Sequence, residues 1–441
     1  MENSPQFSVM MTQMVAVEEL QVGMYVAQLD RPWLETPFLF QGFYIRDADE
    51  IELIKSYCKQ VYVSRESIVC DPVSTLAPAG ATSSTARETK KERKRFSLRS
   101  LFGFGAAKES NTDFHESTVF YAETSEFKDE LGTASGIQEN AIRTVHGVMQ
   151  NLTKSGTLDL PHLETAVVPM VDSVLRNPAA LACLVRLQQK NDYLYQHSLA
   201  SSVWATILGR QIGLNRDDLK VIALGAMLLD VGKTQLPDEI LSKPDKLNDE
   251  ERELMRRHVA FGLDILRKAG DVDSRVLDMV AHHHERYNGT GYPAKLRGND
   301  IPVFGRIAGI VDAYDAMITP RPYATLMSSY DALRKLRVLA DVEFQAEIVE
   351  QFTRAIGAFP TGTAVELNSG EVAIVTKQNR IRRLRPEILI IMDANKELLE
   401  NFRIVDLNEE TVSPQGTHSL WIERGLPPGE FGVDPTEFFL N

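Results

Sequence analysis

The sequence predicts a multidomain protein with an all-α bundle in its middle, a small α+β module at its N-terminus and a small β appendage at its C-terminus. Three observations support this prediction. The chain has 441 residues, which exceeds one ordinary domain. Apolar residues recur at helical spacing from about residue 117 to residue 357. Beyond residue 360 they alternate with polar residues, as in strands.

The predicted N-terminal module, residues 1–70, combines strand and helix patterns. The stretch "GMYVAQL" (23–29) alternates like a strand. The stretch "DADEIELIKSYCKQVYVS" (47–64) reads as a helix that is followed by a β-prone segment. We interpret the aromatic-rich "RPWLETPFLFQGFYI" (31–45) as packed core rather than as a ligand cage.

Residues 71–112 have the composition of a flexible linker. They are rich in Pro, Ala, Ser and Thr, and they show no periodicity. The linker ends in a basic run between Arg87 and Arg99, which an apolar "LFGFGAA" follows. We interpret the run as a solvated tether; contact with a membrane surface or a nucleotide is the alternative.

Helical periodicity dominates the middle of the chain. Residues 113–170 are predicted to be connecting helices and residues 171–358 the helical bundle itself. The clearest stretch is "DEERELMRRHVAFGLDILRKAG" (249–270), with acids in its first turn, a basic end and a terminal glycine. It predicts one helix with His258 on the apolar face. Residues 305–319 and 330–357 predict two more helices.

The last predicted region, residues 359–441, changes to the period of strands. In "TAVELNSGEVAIVTKQN" (363–379) two alternating runs flank Asn368-Ser369-Gly370, which is a hairpin signal. The stretch "RPEILIIMDANKELLE" (385–400) repeats the pattern around "DANKE". A tail rich in Pro and Gly follows.

Composition limits the classes of function. The net charge of −13 argues against broad DNA or RNA binding. An anionic substrate would need local positive charge at its site, from bound metal ions or from a few Lys and Arg side chains. Three cysteines give no disulfide or zinc-finger framework. No signal peptide is recognisable at the N-terminus, and no apolar stretch approaches transmembrane length. We therefore expect a soluble, cytoplasmic protein.

Ionisable side chains recur at apolar positions of the predicted bundle. Such groups need a partner that offsets their desolvation, and a divalent cation bound by imidazole and carboxylate is one. Adjacent helical residues point about 100° apart. His283 and His284 in "AHHHERYNGTGYP" (281–293) can therefore share a site only if the helix end is distorted or the site is as wide as a two-metal centre. The candidate residues are His197, Asp230, His258, His283, His284 and Asp312.

The order of these motifs resembles the HD-GYP family, a bacterial branch of the HD-domain metal phosphohydrolases that acts on cyclic di-GMP. The resemblance covers about residues 185–355 and rests on "LLDVGK" (228–233), "HHERYNGTGYP" (283–293) and "DAYDAMITPRPY" (312–323). The N-terminal module is similar to the uncharacterised domain often found upstream of HD-GYP. The β appendage is similar to what commonly follows it.

The resemblance implies roles for individual residues. One metal would be held by His258, His283 and His284 with a bridging Asp230, and His197, Asp230 and Asp312 would help to hold the other. Iron or manganese is the expected metal, as one or two ions. Lys233 and Arg321 match residues that approach phosphate, while Tyr292 and Pro293 of the GYP loop (residues 288–293) shape the substrate pocket. Leu229 replaces the histidine that the family carries before Asp230, and Ala324 replaces a second basic residue.

The function that the resemblance implies is hydrolysis of cyclic di-GMP to pGpG and then GMP, with Asp230 and Lys233 as the catalytic residues. The first alternative is an inactive HD-GYP domain that serves as a cyclic di-GMP sensor or a docking scaffold, and Leu229 and Ala324 favour it. The second is a hydrolase for another nucleotide. Expected partners are cyclic di-GMP, GGDEF-domain diguanylate cyclases at the GYP loop and a second copy of the chain. Glu285 is expected to orient a histidine.

Overall fold

The computed structural model describes most of the chain in two compact units, Met1–Ser97 and Leu98–Asn441. The described residues are 12–21, 24–30, 43–45, 48–64, 119–187, 193–243, 245–320, 326–379, 382–408, 411–413, 416–418 and 420–439.

The N-terminal unit is α+β, as predicted. Its strands are β1 (Thr12–Ala16), β2 (Tyr25–Leu29), β3 (Phe43–Tyr44) and β4 (Gln60–Ser64), and its helix is α1 (Ala48–Tyr57). The strands form an antiparallel sheet in the order β1-β4-β2-β3. Val26, Ile54 and Val61 are fully buried in its core. Most of the aromatic stretch predicted to be core, residues 31–42, lies outside the described residues.

The second unit is mainly helical, which confirms the predicted all-α middle region. Its helices are α2 (Phe127–Ser155), α3 (Leu160–Arg176), α4 (Pro178–Leu187), α5 (Tyr193–Ile212), α6 (Arg216–Met227), α7 (Asp238–Leu241), α8 (Asp249–Arg256), α9 (His258–Ala269), α10 (Ser274–His282), α11 (Val303–Ile318), α12 (Ser329–Val338), α13 (Ala346–Ile356) and α14 (Thr436–Phe439). A 3₁₀ turn, Val231–Gln235, follows α6.

Two helices that the sequence predicts as continuous are broken. The stretch 249–270 divides into α8 and α9 at Arg257, whose amide donates to the Leu254 carbonyl in a tighter turn. The stretch 330–357 divides into α12 and α13, and Asp341 between them has a positive φ of 61°. Apolar periodicity continues across both breaks, so it could not reveal them.

The bundle packs around α5. This helix contacts α4, α6, α11 and α13, and its Trp204 is fully buried against Tyr314 of α11 at a ring distance of 5.4 Å. A buried carboxylate joins α2 to α3, because Glu130 accepts hydrogen bonds from Ser173 at 2.7 Å and from Arg176 at 2.8 Å. In the part of the chain that the structure describes, no single helix is long and apolar enough to cross a membrane. Only α3 and α4 taken together, bent by 119°, would have the required length and composition.

The C-terminal region is a small antiparallel sheet, as predicted. Its strands are β5 (Ala364–Leu367), β6 (Val372–Lys377), β7 (Glu387–Met392), β8 (Leu398–Asp406) and β11 (Ile422–Gly425), in the order β11-β5-β6-β7-β8. Both predicted hairpins are present, and Gly370 has the positive φ of 82° that its turn requires. A separate hairpin pairs β9 (Thr411–Ser413) with β10 (Gly416–His418). The sequence did not predict β11, because four mostly polar residues carry no strand signal.

Candidate metal centre

Six ionisable side chains from five segments converge inside the bundle. His197 lies on α5, Asp230 just before the 3₁₀ turn, His258 at the start of α9, His283 and His284 just beyond α10, and Asp312 on α11. We call these six residues the His/Asp cluster. His197, Asp230, His258 and His283 expose 2% of their surface or less. All six residues that the sequence singled out are therefore brought together.

A close approach of backbones puts Asp230 beside His258. Gly232 in the 3₁₀ turn faces α9, and a Cβ atom on it would lie 1.9 Å from the His258 carbonyl oxygen and 2.4 Å from the Gly262 amide. Only glycine fits at such a contact. As a result, Asp230 Oδ1 lies 3.5 Å from His258 Nε2.

The end of α10 allows two consecutive histidines to reach one place. The helix ends at His282, His283 is its C-cap, and His284 lies beyond. The rings of His283 and His284 are 4.1 Å apart. His282 is turned elsewhere, and its Nδ1–H donates to the Asp278 carbonyl at 2.9 Å. The two rings therefore share one site at the point where the helix ends.

The first half of the cluster contains Asp230, His258, His283 and His284, with one donor atom of each within 4.8 Å of the others. His258 Nδ1–H donates to the Met255 carbonyl at 2.7 Å, and His283 Nδ1–H donates to the Val280 carbonyl at 3.0 Å. In the neutral rings, both Nε2 atoms are then acceptors. They face each other at 3.2 Å. Two opposed lone pairs repel each other, and a bound cation would remove this repulsion.

Protonation states agree with metal binding at this half. Burial, with the charge of neighbouring histidines, lowers the pKa of His283 to about 4 and that of His284 well below its usual value. Burial also lowers the pKa of His258. Neutral imidazole is the form that binds a metal. In addition, Asp230 Oδ1 is buried without a hydrogen-bond partner in the part of the chain that the structure describes. These donors fit a divalent cation.

The second half of the cluster contains His197, Asp230 and Asp312, again within 4.8 Å of one another. His197 Nε2 lies 3.0 Å from Asp312 Oδ1 and 3.6 Å from Asp230 Oδ2. The two halves thus meet at Asp230, which offers Oδ1 to one and Oδ2 to the other. Burial lowers the pKa of His197, but hydrogen bonds to Asp312 and Asp315 outweigh it and raise the pKa to about 9. His197 is therefore protonated at neutral pH, and a metal ion that binds here would take the place of its extra proton.

Asp315 holds His197 from behind. Its Oδ2 accepts from His197 Nδ1 at 2.6 Å, and its Oδ1 accepts from Trp204 Nε1 at 3.0 Å. Asp315 is 2% exposed, so it is not a surface acid. A carboxylate behind an imidazole fixes the ring orientation and raises its basicity. Trp204 carried no sequence signal for this role, because a tryptophan on a helix is ordinarily read as core.

Lys233 lies next to the cluster as well, with its Nζ 2.5 Å from Asp230 Oδ2. Burial raises the pKa of Asp230, but the charges of Lys233, His258 and His197 outweigh it and lower the pKa well below its ordinary value. Leu229, the residue at which the expected histidine is replaced, is buried immediately before Asp230. Arg321 and Ala324 lie outside the described residues.

Glu285 does not orient a histidine, contrary to the expectation from the sequence. Its carboxylate is buried and accepts from the amides of Ala294 at 2.7 Å and Leu296 at 3.0 Å. These bonds fasten the chain just after the GYP loop, where the Tyr292–Pro293 peptide is cis. The sequence could not predict these partners, because the conformation of the loop decides whether Leu296 comes close to Glu285.

The GYP loop brings an aromatic ring to the cluster. Gly291 packs against the backbone at Glu285, where a Cβ atom would lie 2.5 Å from the Glu285 Cα. The ring of Tyr292 then stacks on His284 with a centroid distance of 4.6 Å. Burial, with the charges of Asp312 and Asp230, raises the pKa of Tyr292, so its hydroxyl keeps its proton. Pro293 is exposed.

Three family models match the chain. An HD domain matches residues 183–348, which contain the whole cluster. A domain of unknown function, DUF3391, matches residues 12–162. A KOW domain associated with HD domains matches residues 364–412.

Curated relatives extend this likeness. The cyclic di-GMP phosphodiesterase PA4108 of Pseudomonas aeruginosa is 29% identical over 90% of this chain and 89% of its own length. The cyclic di-GMP phosphodiesterase response regulator RpfG of Xanthomonas campestris is 33% identical over 36% of this chain and 44% of its own. A 3'3'-cGAMP-specific phosphodiesterase of Vibrio cholerae is 34% identical over 35% of this chain and 30% of its own.

Proposed function

The chain belongs to the HD-domain proteins of the HD-GYP type, and from this premise we propose that it is a metal-dependent phosphodiesterase that hydrolyses cyclic di-GMP to pGpG and then GMP. One observation carries the proposal. The Nε2 atoms of His258 and His283 oppose each other at 3.2 Å beside Asp230 Oδ1, which has no hydrogen-bond partner among the described residues. A divalent cation bound by these atoms would remove the repulsion between the two nitrogen lone pairs.

The cluster residues have divided roles in this proposal. Asp230, His258, His283 and His284 would hold one divalent cation, while His197, Asp230 and Asp312 would hold a second or remain bonded to each other. Iron or manganese suits a set of imidazoles and carboxylates. When bound, such a cation withdraws charge from a phosphoryl oxygen and lowers the pKa of water.

The remaining residues bind and orient the substrate. Lys233 keeps its ammonium beside Asp230, where it can stabilise charge on a non-bridging phosphate oxygen. Tyr292 offers a protonated hydroxyl. Arg321 and Pro293 complete the proposed substrate set, Arg321 by charge and Pro293 by shaping the GYP loop.

Leu229 favours a second candidate function. A leucine before Asp230 removes one imidazole from the second half of the cluster, and the chain would then bind cyclic di-GMP or dock a protein without turning it over. Hydrolysis of another cyclic dinucleotide is the third candidate. Cyclic di-GMP and 3'3'-cGAMP differ in one base, so they are the substrates to compare.

The test is an assay of the purified full-length chain after anaerobic loading with Fe²⁺ or Mn²⁺. We expect hydrolysis of cyclic di-GMP to exceed that of 3'3'-cGAMP, with one or two ions per chain by elemental analysis. Asp230→Asn is the control, because it removes the oxygen that both halves share. Metal content without turnover, combined with dinucleotide binding, would support the sensor instead. A chain that binds neither metal nor dinucleotide would refute the proposal.

The wider context is proposed on the resemblance alone. We place the protein in the bacterial cytoplasm, with GGDEF-domain cyclases docking at the GYP loop and with a second copy of the chain as a partner. We also keep the division into a module (1–70), a linker (71–112), connecting helices (113–170), the HD-GYP domain (171–358) and an appendage (359–441) as a proposal.

A further inference from the structure

We propose that Arg256 binds the phosphate of the cyclic dinucleotide that is not being hydrolysed. This inference rests on the proposed function and adds a residue to it. Arg256 is the last residue of α8 and lies two residues before the cluster histidine His258. Its guanidinium lies 5.1 Å from the centroid of the Tyr292 ring. Tyr292 in turn stacks on His284.

Arg256 contacts the ring of Tyr292, and the same ring contacts the proposed metal ligand His284. A cyclic dinucleotide carries two phosphates on opposite sides of its ring. When one phosphate lies at the cluster, the other must lie some distance from it. Arg256 contacts Tyr292 and not the cluster ligands themselves, which leaves it available to the second phosphate, whereas Lys233 contacts Asp230 directly.

Arg256 is also able to take a ligand. Its side chain is 51% exposed, and its ion pair with Glu253 at 3.2 Å is exposed as well. Such pairs contribute little, so an incoming phosphate can replace the carboxylate. A guanidinium that contacts a ring by its face keeps its N–H groups at its edge, where they can make a bidentate contact with phosphate.

The other nearby arginines are committed elsewhere. Arg286 donates to the carbonyls of His283 at 3.2 Å and Glu285 at 3.0 Å, and it pairs with Glu343 at 3.4 Å. Arg257 contacts the ring of Phe261 at 4.9 Å and not that of Tyr292. Arg256 is therefore the cation best placed for a second phosphate among the residues that the structure describes around Tyr292. Such a contact would also offset the loss of the basic residue at Ala324.

The experiment compares four full-length, Mn²⁺-loaded proteins: wild type, Arg256→Gln, Arg256→Lys and the neighbouring control Arg257→Gln. KM and kcat are measured for cyclic di-GMP, which has two phosphates, and for bis(p-nitrophenyl) phosphate, which has one. If wild-type turnover is too slow, the Kd of the intact dinucleotide replaces KM. Elemental analysis gives the metal content of each protein.

We expect Arg256→Gln to raise KM or Kd for cyclic di-GMP at least about tenfold, the low end of the effect of charge-assisted hydrogen bonds. Arg256→Lys should raise it by roughly threefold, because charge remains and the planar fork is lost. The effect on bis(p-nitrophenyl) phosphate should be several times smaller. Arg257→Gln should resemble wild type, and metal content should be equal in all four.

Three results would overturn the inference. An equal loss with both substrates would mean that Arg256 acts only by supporting Tyr292. A fall in metal content, or in kcat with KM unaltered, would mean that Arg256 acts on the His/Asp cluster and not on substrate binding. If Arg256→Gln binds cyclic di-GMP with wild-type affinity, Arg256 does not contact the substrate. Failure of the proposed function itself is seen separately, as absence of both turnover and dinucleotide binding in the wild type.

Discussion

Three consecutive histidines have three different surroundings in this protein. His282 bonds to its own helix, His283 is fully buried opposite His258, and His284 stacks on Tyr292. The cause is the end of α10, because His283 is its C-cap with helical dihedrals and the Glu285 amide bonds three residues back, to the His282 carbonyl. Identical side chains therefore acquire different chemistry from one backbone change, and this difference supplies a matched control.

His284→Ala should weaken metal binding by at least about tenfold, while His282→Ala should leave it near the wild-type value. The first variant removes an imidazole from the set of four donors, and the second removes one that points to Asp278. Titration with Mn²⁺ followed by elemental analysis measures both. Equal affinities in the two variants would contradict our placement of the metal.

Leu229→His should increase the number of metal ions per chain and raise hydrolysis of cyclic di-GMP. The new imidazole would stand next to Asp230 and supply the donor that the second half of the cluster lacks. Leu228→His is the matched control, since Leu228 is equally buried but one residue further from Asp230. If Leu229→His gains neither metal nor activity, or if Leu228→His gains as much, the missing-ligand explanation is wrong.

Among the structural elements, the crossing of the 3₁₀ turn Val231–Gln235 with α9 matters most for the cluster. It depends on two glycines, because Gly232 and Gly262 bring the backbones into contact. The same crossing sets Asp230 beside His258. A change in the spacing of these two elements would therefore alter both stability and metal binding.

Gly232→Ala should destabilise the protein by about 2–3 kcal/mol and lower its metal content, because the added methyl group would overlap the His258 carbonyl. Gly136→Ala, in the middle of α2 with open space around it, should instead stabilise by about 0.5–1 kcal/mol. Urea unfolding of both variants measures the difference. Unchanged stability and metal content in Gly232→Ala would refute the contact.

At the scale of the whole molecule, the cluster joins segments that are distant in sequence. Its residues extend from His197 on α5 to Asp312 on α11, and each half contains at least one carboxylate. In a chain of net charge −13, bound cations offset part of the local negative charge. A metal that holds five segments together should also stabilise the folded helical unit.

Removing the metal with a chelator should lower the melting temperature of the helical unit by about 5–10 °C, for a metal concentration roughly a hundred times its Kd. The folded state alone brings the donors together, so binding is linked to folding. Asp230→Asn should show little response to the chelator. A wild-type protein whose thermal unfolding is the same with and without metal would contradict this coupling.

The sequence by itself determined the features that depend on neighbouring residues. The change from helical to strand period near residue 360 and the turn at Asn368-Ser369-Gly370 are examples, and both were confirmed. The chemical types needed for a metal site were also visible in the sequence, since buried imidazoles and carboxylates require partners.

Only the tertiary structure decided which atoms meet. His197 and Asp312 are 115 positions apart, and their contact at 3.0 Å depends on how α5 and α11 pack. The break at Arg257, the strand β11 and the attachment of Glu285 to the chain after the GYP loop were likewise not readable from periodicity. Periodicity reports which face of an element is buried, but backbone contacts between elements, such as that at Gly232, set the distances on which metal chemistry depends.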